Sequence, residues 1–262
     1  MKGLIYKMKI LKFAAVAALA AAICATGAVP ACAAGWYCRH TTGGEAPDMP
    51  GEFAFLRDCG ALWLDEDAAA AGDKVIYLTF DAGYENGNVE KILDVLADKG
   101  APGAFFVLSH LIEANGDLVR RMSADGHLVC NHTAHHKNMT ALSDGAIAEE
   151  LGAVETLCRD TLGIEMSKFY RPPEGEINER SAKCAASLGY TAVMWSFAYA
   201  DWDNEKQPDP DAALAKLEEC AHPGEILLLH PTSATNAAIL GRFIDDMRAA
   251  GWRFASLDEA AQ

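Results

Sequence analysis

The residues of this chain that could do chemistry sit at recurring places, each just at or after the end of a strand-like run. Asp81 follows Lys74-Val-Ile-Tyr-Leu-Thr-Phe80, and His132 closes the run 127–132, with His136 four residues on. Arg171 ends the run 167–171, Asp201-Trp202 come after the run 190–196, and His230 closes the apolar Ile226-Leu-Leu-Leu229. An aspartate on a tight loop can take a proton from water, and a histidine opposite it can deliver one to a leaving group. Two further histidines could hold a metal ion.

Each residue also has a plainer reading. Asp81 could cap the helix whose apolar face is Val89, Ile92, Leu93 and Leu96. The His132/His136 spacing places two imidazoles on one helical face, which suits a shared metal; adjacent His135 then points elsewhere, into solvent. Arg171-Pro172-Pro173-Glu174-Gly175 is a rigid turn whose prolines lack donors, so that a backbone N–H just after them can be aimed at a substrate oxygen. Arg171 cannot serve as a base and suits holding a carboxylate such as Asp81, or else makes an ordinary structural ion pair. His230 is either a satisfied core histidine or an acid/base that Asp201 orients and charges.

Alternating elements must position these groups. Strand candidates are 74–80, 102–107, 127–132, 167–171, 190–196, 225–230 and 252–257, and helical patterns fill 88–98, 111–125, 144–162, 178–188, 210–220 and 234–250. Gly100, Gly126, Gly163, Gly189 and Gly251 follow helices, as left-handed caps do. Strict alternation predicts a parallel sheet, and seven strands suit a closed or nearly closed barrel, with an open doubly wound sheet as the alternative. In a barrel every residue named above lies at a strand's carboxyl end, where such folds assemble active sites.

The chain has 262 residues, 51% of them hydrophobic, enough for one domain with a sizeable core. Lys2, Lys7, Lys9 and Lys12, the apolar stretch Phe13 to Cys24 and Ala31-Cys32-Ala33 predict a secretory signal over 1–34 that is cleaved near Ala33. The stretch is too short and alanine-rich to span a membrane stably. Val29-Pro30-Ala31-Cys32 loosely resembles a lipoprotein box, so anchoring through Cys32 is the alternative to release. Residues 35–73 read as an extended lead-in packed on a catalytic domain spanning 74–262. Net charge is −15, and −19 without the four signal lysines, which excludes nucleic acid and anionic lipid as partners. Of the six remaining cysteines, Cys38 with Cys59 is the candidate disulfide, and no CxxC pair suggests structural zinc.

Together TFDAG, His132-Thr-Ala-His-His136, RPPEG, Ala-Asp201-Trp202 and Leu228-Leu-His230 resemble the five motifs of the NodB-type polysaccharide deacetylases, carbohydrate esterase family 4. The strings GYENG, GHLVCNHT, WSFAYADW and ILLLHPTSATNA, with Trp36-Tyr37, resemble the branch that deacetylates N-acetylmuramic acid in forming muramic δ-lactam. The resemblance covers about residues 36–258 and implies a distorted (β/α) barrel of about seven parallel strands. It implies Asp81 as general base, His230 as general acid, Arg171 tethering Asp81 and Asp201 tuning His230. It further implies His132 and His136 as ligands of a divalent metal of the zinc, manganese or cobalt class, and Trp202 and Leu228 as walls of the acetyl pocket. A monomer acting on peptidoglycan strands outside the cell follows. Two positions depart from the family pattern: Ala82 replaces a metal-binding aspartate, so the ion is expected to be weakly held, and Glu174 stands where the branch often has a basic residue. Removal of acetyl from N-acetylglucosamine or chitooligosaccharides, and a wall-binding pseudoenzyme, are the alternatives.

Overall fold

The computed structural model describes residues 34–261. Residues 1–33 of the proposed signal, Cys32 among them, lie outside the described residues. Ten strands are present among the described residues: β1 (Ala34–Gly35), β2 (Val75–Ala82), β3 (Gly103–Val107), β4 (Leu128–Asn131), β5 (Phe169–Tyr170), β6 (Glu176–Ile177), β7 (Thr191–Ala192), β8 (Phe197–Ala198), β9 (Glu225–Leu229) and β10 (Arg253–Phe254). Helices are α1 (Phe55–Asp58), α2 (Glu66–Ala71), α3 (Val89–Lys99), α4 (Ser109–Ala124), α5 (Asp144–Leu162), α6 (Glu179–Ser187), α7 (Pro210–Cys220) and α8 (Ala234–Ala249).

Seven parallel strands run in the order β7-β5-β4-β3-β2-β9-β8 and curl into an incomplete barrel; β10 joins β2. β2 is central: β9 pairs with its residues 76–80, β3 with residues 78–82 and β10 with residues 75–76. Buried on both faces, β2, β3 and β9 read as near-continuous apolar runs, the pattern of a parallel sheet covered by helices. The larger apolar cluster joins Phe80, Phe105 and Leu227 to the inner faces of α3, α7 and α8. Helix ends carry their own signals. Ser143, Asn178, Asp209 and Ser233 accept backbone N–H bonds at amino ends, and left-handed Gly100 and Gly163 close α3 and α5.

The lead-in is less extended than expected, because Asp65 caps α2 and Arg57 ties α1 to Glu66 at 2.6 Å. Its Leu62 bridges Val193 beside β7, while the Asp65 N–H donates to Gly224 O just before β9. Residues 62–65 thus fill the seam left between the two ends of the curled sheet. Trp36, Phe53, Leu56 and Trp63 form a second apolar cluster with Tyr170, Ile177 and Met194.

The expected pairing of Cys38 with Cys59 is not made: both are free thiols. Cys38 lies near Glu225 and Cys220, whereas Cys59 packs in the second cluster, near Lys183. Burial pushes the Cys38 thiol up to about 12.

Candidate active site

The carboxyl ends of β2, β4, β5, β8 and β9 surround a cavity of about 920 Å³, lined among others by Asp81, His132, His136, Glu174, Leu228 and His230. Asp81 belongs to β2, and Asn88 precedes α3, so the aspartate is not a helix cap. Its Oδ1 accepts from Arg171 Nη1 at 2.8 Å. Arg171 is wholly buried. Its remaining bonds go from Nε to Val193 O, and from Nη2 to Thr79 Oγ1 and Met194 O. Burial alone would raise the Asp81 pKa, but Arg171, His132 and His230 outweigh it and hold the carboxyl below its ordinary range.

His230, just past β9, donates from Nδ1 to Asp201 Oδ1 at 2.7 Å, which fixes the tautomer and leaves Nε2 for the cavity. Asp201 is fully buried, and its Oδ2 accepts from the His230 N–H at 2.8 Å and from Asn236 Nδ2 at 2.6 Å. Burial works against the imidazolium, yet the Asp201 bond and charge, with Asp81, raise the His230 pKa above its ordinary value. The two shifts run in opposite directions, one favouring the ionised carboxylate and the other the protonated imidazole.

His132 and His136 do meet, with ring centroids 5.0 Å apart, but not on a helix. The chain from 132 to 138 is irregular, and Thr133 (φ 73°) and His136 (φ 54°) take left-handed backbone conformations. The loop is held by Asn131 Oδ1, which accepts from Thr133 N, and by Thr133 Oγ1, which accepts from His136 N. His135 is exposed as expected, yet it is anchored: Glu150 accepts from its N–H and meets Nδ1, each at 2.9 Å.

His132 Nδ1 donates to Arg171 O at 2.9 Å, directing Nε2 toward Asp81 Oδ2, 3.7 Å away. Burial drops the His132 pKa to about 4, so the ring is neutral and its lone pair free. Two adjacent imidazoles suit a weakly held divalent cation, with water to complete its shell. Among the described residues no group of three His, Cys, Asp or Glu side chains is arranged to hold a metal by itself. Ala82, fully buried, packs in the main apolar cluster.

Glu174 is exposed at the rim, in a turn where it too is left-handed (φ 58°). Among the N–H groups after the prolines, Gly175 donates to Pro172 O and Glu176 to Pro173 O. That leaves the Glu174 N–H for a substrate oxygen. Leu228 lies buried in the wall, whereas Trp202 is 62% exposed and forms the rim. Three lining or supporting groups had escaped the sequence reading: His40, its ring tilted against Phe197 with centroids 4.7 Å apart; Tyr84, bonded by Asn204; and Asn236 behind Asp201. Tyr84, inside the GYENG string, and Asn236, inside PTSATNA, carried a sequence signal, and His40 did not.

Residues 68–193 match the family model for polysaccharide deacetylase. The peptidoglycan-N-acetylmuramic acid deacetylase PdaA of Bacillus subtilis is 39% identical over 187 residues, covering 71% of each chain. The chain belongs to the polysaccharide deacetylase family. The solved structure of Bacillus subtilis PdaA, a family 4 carbohydrate esterase, superposes with a TM-score of 0.83 at 34% identity, covering 88% of this chain and 98% of that one. A chitooligosaccharide deacetylase of Rhizobium leguminosarum bv. trifolii is 36% identical over 63% of this chain and 74% of its own length. As a polysaccharide deacetylase the chain is a hydrolase of amide bonds.

Proposed function

We propose that this polysaccharide deacetylase removes the acetyl group from N-acetylmuramic acid in peptidoglycan strands, outside the cell, as a step toward muramic δ-lactam. The observation that carries the proposal is the pairing, across one cavity, of an ionised Asp81 tethered by Arg171 with a His230 charged by Asp201. Similarity to the Bacillus subtilis N-acetylmuramic acid deacetylase supports the sugar. Asp81 takes a proton from water as the oxygen attacks the acetyl carbonyl. The Glu174 N–H donates to the oxygen that gains charge. His230 Nε2 then protonates the sugar nitrogen, without which an amide nitrogen is a very poor leaving group. Leu228 and Trp202 bound the acetyl methyl. A divalent ion held by His132 and His136 would, when bound, polarise the carbonyl.

Mass spectrometry of purified strands incubated with the protein tests the proposal. Loss of one acetyl located on muramic acid is expected, and loss from glucosamine alone replaces the substrate. The second reading, a chitooligosaccharide substrate, is favoured by the Rhizobium relative. His132→Ala and His136→Ala should each weaken zinc binding in competition with a colorimetric chelator, and unchanged affinity in both would remove the metal from the proposal. Export through residues 1–34 predicts a new amino terminus near Ala34, read by intact mass.

A further inference from the structure

Behind His230 lies a chain of hydrogen bonds that the acid/base pair leaves unexplained. Asp201 is fully buried, and among the described residues no lysine or arginine pairs with it. His230 itself supplies two of its donors, Nδ1 at 2.7 Å on Oδ1 and the backbone N–H at 2.8 Å on Oδ2. Among the described residues the side-chain donor from outside the pair is Asn236 Nδ2, 2.6 Å from Oδ2, which also donates to His230 O at 3.1 Å. Asn236 is 1% exposed and sits in the first turn of α8, with its N–H on Ser233 Oγ. Two acceptors on one side of its amide require the NH2 group there, and the Tyr199 hydroxyl donates to Oδ1 on the other side. Tyr199 lines the cavity, so the chain runs from the cavity wall through Asn236 to Asp201 and His230. Gln207 ties the same two segments again: its Nε2 donates to Asp201 O, and its Oε1 accepts from Ser233 Oγ.

The Asp201 carboxylate has to be held in two states. Before proton delivery an imidazolium lies against it. When the His230 Nε2–H bond breaks and the sugar N–H bond forms, the ring becomes neutral and its Nδ1–H stays in place. A buried anion is then left with hydrogen bonds and no cation. A donor on Oδ2 is worth more in this second state, where no opposite charge compensates. We infer that Asn236, oriented by Tyr199, is a positioning residue that lets His230 release its proton: it holds Asp201 once the imidazolium is gone, and so makes His230 a stronger acid than Asp201 alone would allow. The inference rests on the reading of His230 as the acid. Asp81 on β2 raises the His230 pKa and Arg171 after β5 lowers it, while His40, Tyr84, His132, His136 and Glu174 line the same cavity. Substitutions at Asn236 and Tyr199 leave all of these in place.

Two variants test it: Asn236→Leu keeps the volume and removes the donor, and Tyr199→Phe removes only the hydroxyl. Acetate release from peptidoglycan strands is followed against pH, and the His230 ring is titrated by NMR in the same proteins. Asn236→Leu should move the alkaline limb of kcat, and the ring titration with it, upward by about one pH unit. Its kcat should fall about tenfold while KM stays within about twofold of wild type. Tyr199→Phe should shift both in the same direction by less, with a loss of about threefold in kcat. An Asn236 that merely packs would give the opposite sign, because a loosened His230 drifts down toward free histidine. A limb that falls or stays put, or a limb that moves without the ring titration, overturns the inference alone. If Asn236→Leu does not fold, the limb of Tyr199→Phe decides by the same sign. Near-normal turnover in His230→Ala removes the acid reading and takes the inference with it.

Discussion

Two buried carboxylates at opposite ends of the barrel meet opposite fates. Asp81, at the carboxyl end of β2, has a guanidinium at 2.8 Å and stays ionised below its ordinary range. Glu225, at the amino end of β9, has among the described residues only the His222 N–H on Oε2 and no partner on Oε1, and burial pushes its pKa up to about 8. Burial opposes ionisation at both, at Glu225 (1% exposed) more than at the Asp81 side chain (12%), and only Asp81 has a cation to offset it. The end of the barrel that has a cation to offer is the end that can hold a base.

Breaking the catalytic side has the largest expected effect. Asp81→Asn and His230→Ala should each cut deacetylation by about 10³-fold or more while circular dichroism shows a retained fold. Near-normal turnover in either would end the acid/base assignment. Arg171→Ala should lose less activity, since the arginine moves no proton, yet it strands Asp81 without its counter-charge. A stability loss of about 3–5 kcal/mol in urea is expected, and a loss under 1 kcal/mol would show that Asp81 does not depend on it.

Glu225→Gln sharpens the other side. The raised folded pKa means that Glu225 keeps its proton in the fold while the unfolded chain loses it near pH 4.5. Wild-type stability therefore falls between about pH 4.5 and about pH 8 and levels off above that. The variant should match the wild type at pH 4.5 and gain in melting temperature toward pH 8. A constant gap across that range would contradict a protonated Glu225. The smallest effect concerns the limbs of the pH–rate profile. With Asp81 lowered and His230 raised, the acid limb should lie below the ordinary carboxylate range and the alkaline limb above that of free histidine. A single rising limb through neutrality would show that His230 works as a base.

Much of this was legible because parallel strands buried on both faces read as apolar runs, and because glycines mark helix ends. The six long helical patterns and seven strand candidates all have counterparts. β8 escaped notice, since its Phe197–Ala198 is too short to show a period. So did α2, although Asp65 before a run of alanines is an ordinary helix start. The 132–136 spacing imitates a helix, and only the left-handed Thr133 and His136 bring the rings together. Histidine adopts that conformation more readily than most residues, but β-branched threonine resists it, so the letters do not announce the loop. The rim character of Trp202 depends on the loop after β8, which no local pattern fixes.

The seam filled by residues 62–65 sets the order in which the molecule can be finished. Trp36 donates from Nε1 to Trp195 O, 159 positions away, and Asp65 waits for Gly224. The ribosome delivers the lead-in first, yet its partners come late. At about 5–20 residues per second, Trp36 is without its partner for roughly ten to thirty seconds. During that time Phe53, Leu56 and Trp63 have no core to enter. The apolar residues of the lead-in thus wait for partners made much later in the chain.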